Sequence, residues 1–312
     1  MLEVFHPTVL APWILGMIFG IFVGGIPGLT ATMAVALAVP ITYHLAPVAG
    51  LAMIIGISST AIFAGDIPAT FMRIPGTPAS GAAVLDGYKM AEEGKGSLAL
   101  ALDLFGSTIG GIVGFLLLIF VSRPLAGFAL RFTNFEYFWL GVFGLSMSAV
   151  ITTGSTNRGF ISAFLGLLIS TIGVDITTGF PRFVFGSAEL MDGVEFIPAM
   201  IGLFGVSEVF RYVMNPGDFK RPSIVDKLKV SFSNISAILW KFKGTIARSS
   251  LIGTCIGALP GAGADIAAWV SYGLGKRLSK HPEKFGTGYE EGVLAPTSAN
   301  NAALGGTWIP AL

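Results

Sequence analysis

The sequence predicts an all-α, polytopic membrane protein with an inverted-topology repeat and broken, re-entrant helical hairpins. Three observations predict it. First, 53% of the 312 residues are hydrophobic and only 12% are charged, against about 25% charged in a soluble domain, so most of the surface must face lipid. The mean hydropathy of +0.76 agrees. Second, apolar stretches recur along the chain at the length of about 20 residues that crosses a bilayer as a helix. Third, there are 42 glycines. Glycine lets helices approach closely and lets backbone open where protein shields it from lipid, which suits a packed bundle and not a simple anchor.

Taken in order, the candidate spans run over 9–25, 29–45, 48–65, 98–121, 136–153, 159–179, 195–214, 249–259 and 262–275. The N-terminus has no Lys or Arg ahead of the first apolar stretch, so it lacks the leader of a secretory signal, and 9–25 reads as mature protein. Between 66 and 86 the pattern breaks around Pro68, Pro75, Gly76 and Pro78, and hydropathy alone does not decide whether the chain crosses, re-enters or lies at the interface. Residues 1–214 form a first repeat unit, 215–248 a basic cytoplasmic linker, and 249–312 the start of a second unit.

Loop charge sets the orientation. The linker holds Lys220, Arg221, Lys227, Lys229, Lys241, Lys243 and Arg248, and alternate crossings put Arg158, Lys89 and Lys95 on the same side. The intervening loops hold Arg123, Arg131 and Arg182. The richer side is cytoplasmic by the positive-inside rule. The stretch 249–275 is basic on both flanks and interrupted at Pro260-Gly261, so it enters from the cytoplasm, turns and returns.

Gly25-Ile26-Pro27-Gly28-Leu29-Thr30-Ala31 has a partner in Gly257-Ala258-Leu259-Pro260-Gly261-Ala262-Gly263-Ala264, at an offset of 233 between Pro27 and Pro260. Further on, Ile67-Pro68-Ala69 is echoed by Ile309-Pro310-Ala311 at an offset of 242. The first hairpin lacks basic flanks and the second has several, so the two enter from opposite faces. Inverted repeats of this kind place substrate and coupling ions near the midplane between broken helices. The second unit stops early, and two full units need on the order of 480–500 residues by the pairing logic of such repeats, so the chain is expected to be a fragment.

A Pro-Gly break frees backbone N–H and C=O groups that a bound ion or carboxylate can satisfy. The half-helix after Pro27-Gly28 is expected to point its positive end, with the Thr30 and Thr32 hydroxyls, into the protein, and the half-helix after Pro260-Gly261 to do the same. With Gly25 and Gly263 these residues form the expected substrate and ion site. Asp66 and Asp265 lie beside the breaks, and carboxylates inside a membrane are candidates for cation or proton coupling. Pro75, Gly76 and Thr77 join them, and Asn300 and Asn301 are candidate Na⁺ ligands. Arg73 is read as an interface anchor, with pairing to an anionic substrate as the other reading. Asp103, Glu136, Asp175, Glu195 and Glu208 fall near segment ends and are read as solvated.

The two Pro-Gly hairpins, Ile74-Pro75-Gly76-Thr77, and the stretch from Glu291-Gly292-Val293-Leu294-Ala295-Pro296 to Asn300-Asn301-Ala302-Ala303 resemble the large permease subunit of the tripartite tricarboxylate transporter family, TctA. The resemblance runs along the whole chain and implies a bacterial inner-membrane protein. It implies work with a small membrane subunit and a periplasmic solute-binding protein. The substrate would be a tricarboxylate or related carboxylate, and an ion gradient of Na⁺ or H⁺ would drive uptake without any cofactor.

Other classes fare less well. His6, His44 and His281 lie far apart, and no metal-ligand spacing, nucleophile elbow or phosphate-binding Gly-Lys loop is present, so neither a membrane enzyme nor ATP drive within this chain is supported. A net charge of +1 offers nothing to nucleic acid, and Cys255 is the single cysteine. A channel, an ion antiporter and a purely structural subunit stay as alternatives.

Overall fold

A computed structural model describes residues 5–27, 29–129, 156–175, 178–195, 201–214, 231–259 and 263–308, with a few positions between 133 and 199. It is helical almost throughout. The only sheet among the described residues is a two-residue pairing of β1 (Gly173–Val174) with β2 (Pro181–Arg182).

Helix α1 (Pro7–Gly24) begins with Pro at its first position, where the missing N–H is no loss, and ends where Gly24-Gly25-Ile26-Pro27 cannot continue it. α2 (Ala31–Thr42) is capped by Thr30, whose hydroxyl accepts from the Met33 N–H at 3.2 Å. α3 (Pro47–Ala64) runs into α4 (Asp66–Met72) with only Gly65 between them. The two together form one apolar stretch, Pro47–Met72, long enough to cross a membrane. α4 ends at Arg73 in the left-handed region, φ 59°. Ile74 to Thr77 are non-helical, and a short 3₁₀ turn covers Pro78–Gly81. The stretch left open by hydropathy is therefore a helix end, a turn and α5 (Val84–Glu92). α6 (Gly96–Ala129) and α7 (Thr156–Ser170) follow, then α8 (Ser207–Met214), α9 (Phe232–Lys241), α10 (Lys243–Gly257), α11 (Gly263–Leu278) and α12 (Glu290–Thr307). The expected linker is helical over its described part from Phe232 onward, and Arg248 sits inside α10 and not in a loop. The 136–153 span lies largely outside the described residues.

Three stretches, Pro7–Gly24, Pro47–Met72 and Gly96–Ser122, are long and apolar enough to span a bilayer. Large apolar side chains face outward along them, among them Leu15, Ile18 and Phe22 on α1 and Leu116, Ile119 and Phe120 on α6. Such belts are what a bilayer covers. With the helical content, this makes the chain an all-α membrane protein.

The glycines explain the interior. Gly16, Gly20 and Gly24 line one side of α1 so closely against α3 that a Cβ on Gly20 or Gly24 would collide with the Ile57 or Ala61 carbonyl. The Thr60 hydroxyl crosses the same seam to donate to the Met17 carbonyl at 2.9 Å. Gly253 and Gly257 of α10 meet the Ala299 and Ala303 carbonyls of α12 in the same way, and Gly106, Gly110 and Gly114 of α6 press on a neighbouring face of α12. Without a hydrophobic drive between helices in lipid, close backbone packing of this small-xxx-small kind does the work. α12 is consequently buried from Glu291 to Gly306.

The two hairpins share one packing scheme. Gly20 and Gly24 correspond to Gly253 and Gly257 at the offset of 233, and their partners Ile57 and Ala61 correspond to Ala299 and Ala303 at the offset of 242. The same offsets were read from the Pro-Gly motifs and the Ile-Pro-Ala motifs. α1–α2–α3 and α10–α11–α12 are thus built alike.

Candidate functional site

The first residues of the two half-helices share one apolar cluster. Ala31 of α2 and Ala264 of α11 both pack against one cluster of Ile62, Ala79 and Leu304. Ala79 belongs to the 3₁₀ turn Pro78–Gly81, which is therefore the hinge-pin of the centre. On one side the carboxylate of Asp265, in the first turn of α11 and exposed, accepts from the Ala79 N–H. On the other side Gly65 lies against Thr77 and Ser80, and the Thr77 and Ser80 hydroxyls are 2.9 Å apart. The end of α1 closes the group: the Gly76 N–H donates to the Gly65 carbonyl at 3.0 Å, and a Cβ on Gly76 would collide with the Gly24 carbonyl. Asp66, Gly76, Thr77 and Asp265 thus gather around this turn, with Pro75 beside Gly76 in the chain, while Gly25 lies against the Ile21 and Phe22 carbonyls of its own helix. Gly28, Pro260 and Gly261 lie outside the described residues, as does the Ile309-Pro310-Ala311 echo.

Two hydroxyls do not point inward as expected. Thr30 is occupied by its own helix cap, and Thr32 is exposed. Gly263 starts α11 at φ +61°, a conformation that suits glycine. Arg73 lays its guanidinium over the Tyr88 ring, 5.6 Å from the centroid.

Beside the convergence lies a polar group buried among apolar helices. Asp66 is 1% exposed, and the side chains of Asp103, Ser80 and Asn300 lie against it. Neither Asp66 oxygen has a hydrogen-bond partner. Asp103, on α6, is likewise 1% exposed. Its Oδ1 receives a long bond from the Ser107 hydroxyl, 3.4 Å, which also reaches the Thr297 carbonyl of α12 at 3.4 Å. Asn300 is fully buried with both Oδ1 and Nδ2 unpartnered, and Asn301 Oδ1 is unpartnered too. Reading Asp103 as solvated was wrong. Its distance from the end of a span does not fix which face it takes, and that face is the glycine seam of α6. The spacing Asp103, Gly106, Ser107, Gly110, Gly114 is a small and polar stripe at helical period, and it was the available signal.

A second buried carboxylate is structural. Asp86 of α5 accepts from the N–H groups of Gly286, Gly288 and Tyr289 and from the Tyr272 hydroxyl at 2.8–3.0 Å. Burial raises its pKa above the usual carboxylate value, and those donors counter the rise. Glu291 similarly accepts from Thr245 at 2.5 Å and Ser279 at 2.6 Å, tying α10 to the end of α11.

The profile of the Tripartite tricarboxylate transporter TctA family matches residues 10–312. The chain belongs to the TctA family. It is 40% identical over 301 residues, 95% of its own length and 59% of the relative's, to the "Uncharacterized 52.8 kDa protein in TAR-I ttuC' 3'region" of Agrobacterium vitis. It is 50% identical over 60 residues, 19% of its length and a quarter of the relative's, to the "Uncharacterized protein in TAR-II ttuC' 3'region" of the same organism. The TctA chain thus spans less than two thirds of the relatives it matches. No solved structure matches it. Membership agrees with the resemblance carried by the Pro-Gly hairpins and by the stretch through Asn300-Asn301.

Proposed function

We propose that the chain is part of the large membrane subunit of a secondary transporter that takes up tricarboxylates or related organic anions. A small membrane subunit and a periplasmic solute-binding protein serve it in the bacterial inner membrane, and a cation gradient of Na⁺ or H⁺ drives it. The two hairpin units enter from opposite faces, as their flanking charges require.

The observation that carries this reading is the packing of Ala31 and Ala264 against one cluster of Ile62, Ala79 and Leu304. The positive ends of two half-helices directed at one place favour an anion there. The sequence breaks at Pro27-Gly28 and Pro260-Gly261 are where backbone N–H donors for a carboxylate would come from, with no neutralising arginine needed. Gly263 leaves room for its approach, with nothing within 4 Å of a built Cβ. Membership of the tripartite tricarboxylate transporter TctA family supports both the substrate class and the partners.

The test uses the full-length gene product expressed with its two partner proteins, and the probe is labelled citrate beside a dicarboxylate and an aromatic acid. Uptake should saturate, accumulate substrate and collapse when an ionophore dissipates the gradient; failure to accumulate would make the protein a passive channel. Gly28→Val and Gly261→Val should abolish uptake at normal membrane yield. Wild-type uptake in both variants would sink the hairpin assignment.

A further inference from the structure

Asp66 and Asp103 pose a charge problem that the hairpin site does not solve. Each sits in a helix long enough to span a membrane, each is 1% exposed, and they face each other. Two like charges in a medium of low dielectric repel strongly, and a carboxylate inside a membrane is costly even alone. Among the described residues the charge that faces Asp103 is Asp66, and no cation is hydrogen-bonded to Asp66 or to Oδ2 of Asp103.

The surrounding side chains leave buried polar atoms unmet, the Nδ2 of Asn300 among them. Both Asp66 oxygens, Asp103 Oδ2 and Asn300 Oδ1 lack partners. The Ser80 hydroxyl lies against Asp66. The unpartnered Ser298 hydroxyl lies against Gly106, one turn along α6 from Asp103. Unsatisfied buried polar atoms in such number call for a ligand. A proton shared by the two carboxyls would meet one oxygen of each and leave a further Asp66 oxygen and the carboxamide of Asn300 unmet. Mg²⁺ sheds its water reluctantly and keeps several waters when bound, which a group exposed by 0–1% at Asp66, Asp103, Ser80, Ser298 and Asn300 does not accommodate. A monovalent hard cation ligated by protein oxygens fits.

We propose that Asp66, Asp103 and Asn300, drawn from three different helices, form a binding site for one Na⁺, with the Ser80 hydroxyl beside it. The site rests on the transport reading for its purpose, as the seat of the coupling ion. Ser80 belongs to the same turn as Ala79, so the ion sits one residue from the cluster that both half-helices pack against. Filling the cation site would hold that turn in place for the anion.

The experiment is equilibrium binding of ²²Na⁺ to the detergent-solubilised full-length protein, with thermal unfolding in choline chloride titrated with NaCl. No substrate and no gradient are present. Wild type should bind one Na⁺ and unfold at higher temperature as the site fills. Asp103→Asn should raise the half-saturating Na⁺ by more than about tenfold, the lower scale for losing even an outer partner of a metal. Without Na⁺ it should unfold no lower than wild type, because one of two facing charges is gone; a merely structural Asp103 would instead lose stability in both salts. Asn300→Ala provides a second variant and should weaken Na⁺ in the same way. Absence of ²²Na⁺ binding by wild type, a shift that follows pH alone, or wild-type Na⁺ response in both variants would overturn the site. Na⁺ binding that these variants remove, in a protein that moves no carboxylate, would keep the site and fail the transport reading.

Discussion

Hairpin α1–α2–α3 and hairpin α10–α11–α12 are the same backbone device carrying different side chains. Their glycines meet equivalent carbonyls, Gly24 on Ala61 and Gly257 on Ala303, so the seam is fixed by backbone contact and tolerates no side chain. Away from the seam the two diverge. At the offset of 242 Asn300 and Asn301 correspond to Ser58 and Ser59, and Asp66 corresponds to Trp308. The carboxylate comes from one unit and the carboxamide from the other. A repeat of this form keeps the frame symmetric and places the polar chemistry once, across the junction.

The sharpest way to break the comparison is to attack the shared frame in one unit at a time. Gly24→Leu and Gly257→Leu each drive a branched side chain into a carbonyl of the neighbouring helix. The expected cost exceeds about 3 kcal/mol, the upper end for ordinary overpacking, because backbone cannot move aside as a side chain can. Little folded protein should be recovered from membranes in either case. Gly111 on α6 has nothing within 4 Å of a built Cβ, so Gly111→Leu should be recovered like wild type. Unequal loss at Gly24 and Gly257 would show that the two seams do not carry equal weight.

How much of this could be read from the residues follows from the same division. The motif offsets gave the repeat because backbone packing leaves glycine and proline at fixed spacing, and the breaks at Pro27 and Pro260 mark where helices must stop. Asp66 and Asn300 were visible as polar residues in apolar surroundings. Asp103 was not, because hydropathy gives depth along a helix and says nothing of the azimuth until the neighbouring helix is known. The meeting of Asp66 with Asp103 and Asn300 involves contacts far apart in sequence, which no local pattern encodes. Neither the 3₁₀ turn at Pro78–Gly81 nor its contact with α11 has a periodic signature. α9 and α12 were missed as helices for a simpler reason: one is amphipathic and short, and the other is rich in Ser, Asn and Gly.

A smaller effect separates the units through their return loops. In the first, Tyr43 to Ala46 suffice to join α2 to α3. In the second, Ser279 to Tyr289 join α11 to α12, with Gly286 at φ +83° and Gly288 at φ +95°. The longer loop is held by Asp86, which comes from outside the hairpin. Asp86→Ala strands three backbone donors, the Tyr289 N–H buried and the Gly286 and Gly288 N–H groups part-buried, and the buried Tyr272 hydroxyl. At about 1–3 kcal/mol for an unsatisfied group, less what water recovers at the half-buried loop, a loss of roughly 3 kcal/mol is expected. Thermal unfolding in detergent measures it. Hydrogen exchange should show the opening confined to 285–291 and the start of α12, with α1–α3 as protected as in wild type. An equal rise of exchange in both units would mean that they unfold as one.

The smallest effect lies at the two half-helix starts, where Thr30 and Gly263 correspond at the offset of 233. One unit begins its half-helix with a hydroxyl cap from extended backbone, φ −82°; the other begins with a glycine at φ +61°. Thr30→Ala removes the bond to the Met33 N–H and should cost about 1 kcal/mol, the usual value of a cap, while Thr30→Gly should cost a few tenths. The reverse change, Gly263→Thr, forces a β-branched residue into the left-handed region, at a cost of about 1–2 kcal/mol, although space is open around it. Unfolding midpoints of the three variants decide the order. If Gly263→Thr proves as mild as Thr30→Gly, the second half-helix can adopt the extended start of the first. The two units would then differ at this point by sequence alone and not by the conformation that the sequence imposes.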